Sequence, residues 1–379
     1  MKEYQRFCLS VLITTGCLSL GITAFNALVD PYGILNSPNL PISDEKVLKG
    51  KGHTRLFKAI NVKQIEPVTI FLGTSRTERG LDPKHPVFAD NQPAYNLALP
   101  GANQYEVMRY FEHAIANQPK LEQVVIGIDF FMFNQFNANK PDFSEQRLEK
   151  TNITLTDLFN TTFSIDALRS SFLTVASNVG NFGSESYRQD GAWISPADQN
   201  SEKTLKSMLA ADLRETYDDY QLSPAALDHF RSIVETCRQR NIDVKVFISP
   251  SHATQWEAVR AAGLWSTFEQ WKREIVKITP VWDFSGYNSI TAEAIDKEME
   301  NYLDSSHYTP ETGNLVLNRL FEYDSAAVPA DFGIWITPQN VENHIKQVRT
   351  DRQRWASQNP EAVKLVQDIE RRVARSNVE

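Results

Sequence analysis

Cysteine is scarce in this sequence, and the scarcity excludes several chemistries. Only three occur among 379 residues: Cys8 and Cys17 share one apolar N-terminal stretch, and Cys237 stands alone in the remainder. The body can therefore form no intramolecular disulfide and no cysteine-based zinc site. Cys237 falls in a helical pattern and reads as a small buried hydrophobe rather than a reactive thiol. Basic runs are missing as well. No Lys/Arg-rich segment of five or more residues occurs, and 39 Lys+Arg against 47 Asp+Glu leave a formal net charge of −8. A nucleic-acid reader needs a basic stripe to displace counterions from phosphates, so nucleic acid is excluded as a partner. His53, His85, His113, His229 and His344 share no metal-ligand spacing, and neither a metal nor a cofactor is expected. With 41% hydrophobic and 23% charged residues, the chain is neither wholly disordered nor a multi-span membrane protein.

One long apolar stretch is present. Phe7 to Val29 carries no charge and, as a helix, spans roughly 34 Å, enough for a hydrocarbon core of about 30 Å. Lys2 and Arg6 precede it, which predicts a cytoplasmic tip and an exported body. Ser10, Thr14, Thr15, Gly16, Ser19 and Gly21 dilute the stretch as in a cleavable signal peptide, but no clean small-x-small cleavage site precedes Asp30. A lipoprotein site at Cys17 is opposed by Thr14 three residues earlier. Residues 1–29 are thus expected to form an uncleaved signal anchor in the inner (cytoplasmic) membrane, with the body in the periplasm or outside the cell.

Beyond the anchor, Asp30-Pro31-Tyr32-Gly33 and the Asn/Pro-rich Asn36 to Ser43 predict turns within a linker over 30–64, which includes a basic, Gly-containing segment from Lys46 to Lys58. Val68-Thr69-Ile70-Phe71-Leu72 is too short for a helix, is apolar throughout and ends at Gly73, the pattern of a strand buried on both faces. Similar runs occur at Gln123 to Phe130 and Val244 to Ile248, and weaker ones at Tyr95 to Leu99 and Val281 to Phe284. Helical patterns at Tyr105 to Asn117, Ala225 to Arg240 and Trp265 to Lys277 separate them. Strands alternating with helices predict an α/β domain over about 65–325 with a central parallel sheet. A polar segment over about 135–222 is too long for one crossover and predicts a helical insertion bordering the substrate groove. Residues 326–379 predict charged C-terminal helices broken at Asn359-Pro360.

Ligands of open parallel sheets bind beyond the carboxyl ends of the strands. There the first strand is followed by Gly73-Thr74-Ser75-Arg76, a turn that can project a serine hydroxyl beside the amides of a helix start; the same turn also suits a helix N-cap. Far along the chain, Asp304-Ser305-Ser306-His307-Tyr308-Thr309-Pro310 sets a histidine before a helix whose first position suits Pro310 and whose cap suits Thr309. An aspartate three residues before a histidine can accept from its Nδ1–H and leave Nε2 free as a base.

Together these two motifs resemble the SGNH, or GDSL-type, hydrolase superfamily. Its first block resembles Gly73-Thr74-Ser75, its second the glycine of Asn96-Leu97-Ala98-Leu99-Pro100-Gly101-Ala102-Asn103, and its last Asp304-Ser305-Ser306-His307. The resemblance implies a three-layer α/β/α sandwich of flavodoxin-like type, a Ser75 nucleophile, a His307 base, an Asp304 orienter and an oxyanion hole from the Ser75 and Gly101 amides. The third block departs from the pattern: where the family carries Gly-x-Asn-Asp, this chain reads Gly127-Ile128-Asp129-Phe130, so the asparagine donor is missing. Around the strand ends, Arg76, Asn103, Asp129 and His252 are the expected substrate contacts, with Arg79 as a further anion-holding candidate. Trp256, Trp265 and Trp271 have the composition of sugar-stacking platforms, although such aromatics more often build cores. The nearest resemblance is to membrane-anchored bacterial SGNH-like proteins of exopolysaccharide and cell-wall O-acylation. It implies a serine esterase or O-acetyltransferase acting on polysaccharide O-acyl esters, with envelope assembly partners; the alternative is a catalytically inactive carbohydrate-binding component of the same machinery.

Overall fold

The computed structural model describes residues 2–35, 37, 54–150, 154–180, 186–194 and 200–376. Apart from Ser37, the expected turn region 36–43, the first part of the basic segment and His53 lie outside the described residues.

Short apolar runs become strands where neighbours cover both faces. The strands are β1 (Thr69–Leu72), β2 (Ala94–Asn96), β3 (Gln123–Ile128), β4 (Ser186–Tyr187), β5 (Trp193–Ile194), β6 (Asp243–Ile248), β7 (Val281–Asp283) and β8 (Ile334–Ile336). Six make one sheet in the order β2-β1-β3-β6-β7-β8, while β4 and β5 pair separately as a small hairpin. The first five of the six run parallel, with Phe71 opposite Asn96 on one side and Val125 on the other, and β8 adds an antiparallel edge against β7. Every residue of β1, β2 and β3 is buried, which is why these strands read as unbroken apolar runs rather than alternating ones. The chain leaves β1 toward β2 on one side and later returns to β3 on the other, and this reversal at the carboxyl end of β1 is the switch point at which open parallel sheets bind ligands.

In chain order the helices are α1 (Lys2–Val29), α2 (Thr54–Ile65), α3 (Ser75–Gly80), α4 (Gln104–Asn117), α5 (Glu145–Leu148), α6 (Leu155–Thr162), α7 (Ile165–Gly180), α8 (Ser201–Ala211), α9 (Pro224–Gln239), α10 (Ala253–Ala261), α11 (Trp265–Ile278), α12 (Pro310–Leu320), α13 (Val341–Gln358) and α14 (Pro360–Ser376). Helix α1 is long and apolar enough to cross a membrane, and its buried side chains, Asn26 and Val29, lie in its last turns. Helices α2, α4, α9 and α11 pack in succession; α3 meets α12, and α10 meets α14. Ser223 accepts from the Ala226 amide and Pro224 occupies the first turn of α9, so capping fixes the start that hydrophobic periodicity only approximates.

Three expectations change. The supposed linker contains α2, whose Arg55, Phe57, Lys58 and Ile60 are buried. Lys58 Nζ donates to Glu78 Oε1 at 2.8 Å, and burial lowers its pKa against the opposing pull of that carboxylate. The insertion builds part of the main core, because Leu205, Leu209, Leu213, Tyr217 and Tyr220 join it, as well as supplying peripheral helices. The C-terminal region adds β8 to the sheet before its two helices begin. Trp256 and Trp271 are core residues that stack on either side of Phe268, at 5.0 and 5.6 Å between ring centroids.

A second, smaller apolar cluster combines Tyr32, Ile34, Phe57, Ile60, Ala167, Tyr187, Trp193 and Leu303. It joins the segment after α1 to α2, α7, the β4–β5 hairpin and the loop before α12.

Candidate active site

Gly73 shapes the turn at the end of β1. Its φ is +146°, and a Cβ there would stand 2.4 Å from Thr77 Oγ1 and 2.7 Å from Gly127 O, so no side chain fits. Thr74 caps α3 by accepting from the Arg76 amide at 3.2 Å, and its own hydroxyl donates to Asp129 Oδ2 at 2.5 Å. Ser75 thereby becomes the first residue of α3, half-buried at the mouth of the crevice.

The loop before α12 reaches the same point. His307 Nε2 lies 2.8 Å from Ser75 Oγ, and His307 Nδ1 lies 2.7 Å from Asp304 Oδ2. Asp304 Oδ1 accepts from the Ser306 and His307 amides at 2.7 and 2.9 Å. Burial pushes the Asp304 carboxyl up, but His307 and these amide donors outweigh it and hold the group below its ordinary value. An ionised Asp304 accepts from Nδ1–H, which leaves the Nε2 lone pair facing the serine hydroxyl. His307 and Asp304 are only 5% and 4% exposed, so water competes poorly for their hydrogen bonds. Ser75 and His307, 232 residues apart in sequence, are thus brought with Asp304 into one chain of hydrogen bonds.

The loop is held from behind. The Ser305 carbonyl accepts from the His252 amide at 3.1 Å, and Ser306 Oγ accepts from Arg76 Nε at 2.9 Å. Helix contact supplies the remaining alignment: a Cβ on Gly80 would overlap the Tyr308 ring, and one on Gly313 would lie 1.7 Å from Gly80 O, so α3 and α12 touch glycine to glycine.

The stretch leading to Gly101 is tied to the turn before the serine, because the Leu99 amide donates to Gly73 O at 3.0 Å. Lys140 lies across it: a Cβ on Gly101 would be 2.8 Å from Lys140 Cε and 3.5 Å from Nζ. The Lys140 ammonium has a long contact, 3.5 Å, to Asn137 Oδ1.

The four expected substrate contacts are all buried and hydrogen-bonded within the protein. Arg76 is buried, with Nη1 on Asp129 Oδ1 at 2.8 Å and Nε on Ser306; burial alone would lower its pKa, but Asp129, Tyr217 and Asp212 reverse the shift and keep it charged. Asp129 is consumed by Thr74 and Arg76, so it supports the serine turn from below. Asn103 caps α4 by accepting from the Glu106 amide, and its Nδ2 donates to Asn137 O and Asn139 Oδ1, each at 2.8 Å. His252 caps α10 through Nδ1 and sets Nε2 2.8 Å from Glu293 O; burial brings its pKa down to about 4, so it is neutral. These residues organise the site from within. Arg79, the other arginine of α3, lies over the Trp193 ring at 4.3 Å. Lys140 and the Arg76–Asp129–Ser306 tie escape sequence reasoning: Lys140 sits in a polar stretch without periodicity, and a buried arginine reads like a surface one.

Among the described residues, no group of three or more His, Cys, Asp or Glu is placed to hold a metal ion. Burial pushes the Cys237 thiol up to about 12. No family model and no curated protein matches the chain.

Proposed function

We propose that this protein is a membrane-anchored, extracytoplasmic SGNH-like serine esterase or O-acyltransferase that acts on O-acyl esters, chiefly acetyl, of an envelope polysaccharide. The observation that carries the reading is the continuous Asp304–His307–Ser75 hydrogen-bond chain in the crevice beyond β1. Ser75 Oγ attacks the acyl carbonyl while its proton passes to His307 Nε2, and Asp304 stabilises the imidazolium. The Ser75 and Gly101 amides receive the oxyanion. Lys140, whose ammonium lies beside Gly101, supplies positive charge where the family's asparagine is missing. Collapse of the tetrahedral intermediate returns the proton to the departing sugar oxygen. Water or an acceptor sugar hydroxyl then attacks the acyl-serine, again with His307 as base.

The parallel strands, counted in sequence, lie in the order 2-1-3-4-5, that of a flavodoxin-like sheet, which supports the three-layer α/β/α reading. Lys2 and Arg6, in the first turns of α1 ahead of its apolar stretch, support a cytoplasmic tip with the body on the far side of the inner membrane.

The test uses the full chain in detergent micelles. Hydrolysis of p-nitrophenyl acetate and labelling of Ser75 by a fluorophosphonate are expected, and both should vanish in Ser75→Ala. Folded wild-type protein that neither turns over the ester nor takes the label would replace this reading with that of an inactive carbohydrate-binding component.

A further inference from the structure

Helices α6 and α7 present large apolar side chains to the outside in a regular pattern. On α6 and just after it, Leu155, Phe159 and Phe163 recur every four residues with exposures of 85%, 58% and 43%. On α7, Ile165, Phe172 and Val179 recur every seven, with 85%, 60% and 69% exposed. Both spacings place the side chains on one helix face. Soluble surfaces rarely leave so many large hydrophobics together, and such a patch marks an interaction site.

Its position identifies the occupant. Both helices pack against the last turns of α1. Phe172 lies 5.2 Å from Phe25 between ring centroids, so the apolar face of α7 continues into that of the anchor. Asn26, a polar residue inside the apolar helix, is fully buried there: its Nδ2 donates to Thr162 O and its Oδ1 accepts from Ser171 Oγ, both at 2.8 Å. An amide in a membrane-crossing helix is costly without partners, and α6 and α7 provide both. Leu18, Leu20 and Leu28 of α1 are exposed like the patch.

We infer that the α6–α7 pair is a second membrane contact, with its apolar face set into the lipid leaflet on the body's side, next to the anchor. The bilayer is the occupant because it alone covers an α1 surface and an α6–α7 surface that run into one another. The pair then fixes how the body sits on the membrane, where a single flexible tether would leave it free to tumble. The inference rests on α1 crossing the bilayer.

The experiment uses the full chain with Cys8→Ser and Cys17→Ser, reconstituted in phosphatidylethanolamine/phosphatidylglycerol vesicles. An environment-sensitive fluorophore is attached in turn to Leu18→Cys, Phe159→Cys, Val179→Cys and Ser207→Cys. Expected is that the probes at 159 and 179, like that at 18, are quenched by brominated lipid and shielded from aqueous iodide, while that at 207 shows the reverse. Lipid quenching at 18 with iodide quenching at 159 and 179 equal to that at 207 overturns the inference and leaves the anchor intact. Shielding at 159 and 179 without lipid quenching also overturns it, since a protein surface then covers the face. If position 18 itself is open to iodide, the anchor reading fails and the inference falls with it. Using two positions on separate helices, both exposed, keeps the result independent of any one substitution that misfolds.

Discussion

On the proposed reading, Ser75 is a poor nucleophile until His307 takes its proton, and His307 is a poor base until Asp304 fixes its tautomer, so the three residues stand or fall together. Ser75→Ala and His307→Ala should each cost roughly 10⁴-fold or more in kcat, and the double variant little more than either. Steady-state kinetics on p-nitrophenyl acetate measures both. Lys140→Met should lower kcat by about 10²-fold with KM nearly unchanged, the loss of one oxyanion partner, and Lys140→Arg should recover part of it. His252 makes a prediction in pH. Its folded pKa, about 4, lies below the unfolded value near 6.5, so as pH falls through that interval the unfolded chain binds a proton that the folded chain refuses. Stability from this group is complete above about pH 6.5 and declines toward pH 4, by up to about 3 kcal/mol. Denaturant melts of wild type and His252→Gln across this range should converge at low pH, because the variant lacks the titration.

At the scale of elements, the contact between α3 and α12 sets the distance from serine to histidine, since α3 begins at Ser75 and α12 three residues after His307. Gly313→Ala forces the two apart, because its Cβ would lie 1.7 Å from Gly80 O. It should destabilise by about 1–3 kcal/mol and reduce kcat more than KM, as read by thermal melting and kinetics on the same preparation. The elements legible in sequence were those with one unmixed signal. β1, β3 and β6 announced themselves as short apolar runs, and α4, α9 and α11 by periodicity. Helix α2 was hidden because Arg55 and Lys58 are buried in ion pairs, and a pattern reading assigns such residues to solvent. β8 was hidden by its length and by the exposure of two of its three residues. The turn at Ser75 and the Asp304–His307 loop were each legible as a strand end and a helix entry, but each alone read as well as a cap or a loop, and only the family resemblance joined them. Arg76, Asn103, Asp129 and His252 have the same chemistry and neighbourhood as a ligand contact would, and only side-chain direction separates a capping or bridging residue from one that faces the crevice.

Across the whole molecule, the second apolar cluster links the segment after α1 to the loop that carries His307. Leu303 belongs to it, and the Leu303 amide donates to His307 O at 2.9 Å. Leu303→Ala should cost about 2–4 kcal/mol and lower kcat while leaving KM near its wild-type value, which melting curves and kinetics check together. The junction with α1 is equally ordered. Val29 and Asp30 are buried, and the Asp30 carboxylate accepts from the Ile34 and Leu35 amides at 2.9 and 3.0 Å. A processing protease acting at the end of the apolar stretch would therefore meet a folded joint instead of an extended strand, and severing it would leave Tyr32 and Ile34, which belong to the cluster that supports His307, on a free chain end. If α1 spans a bilayer and Ser75 carries the proposed reaction, lipid composition becomes a variable of turnover: a bilayer too thin or too thick for α1 would strain the joint, and the rate would register membrane thickness.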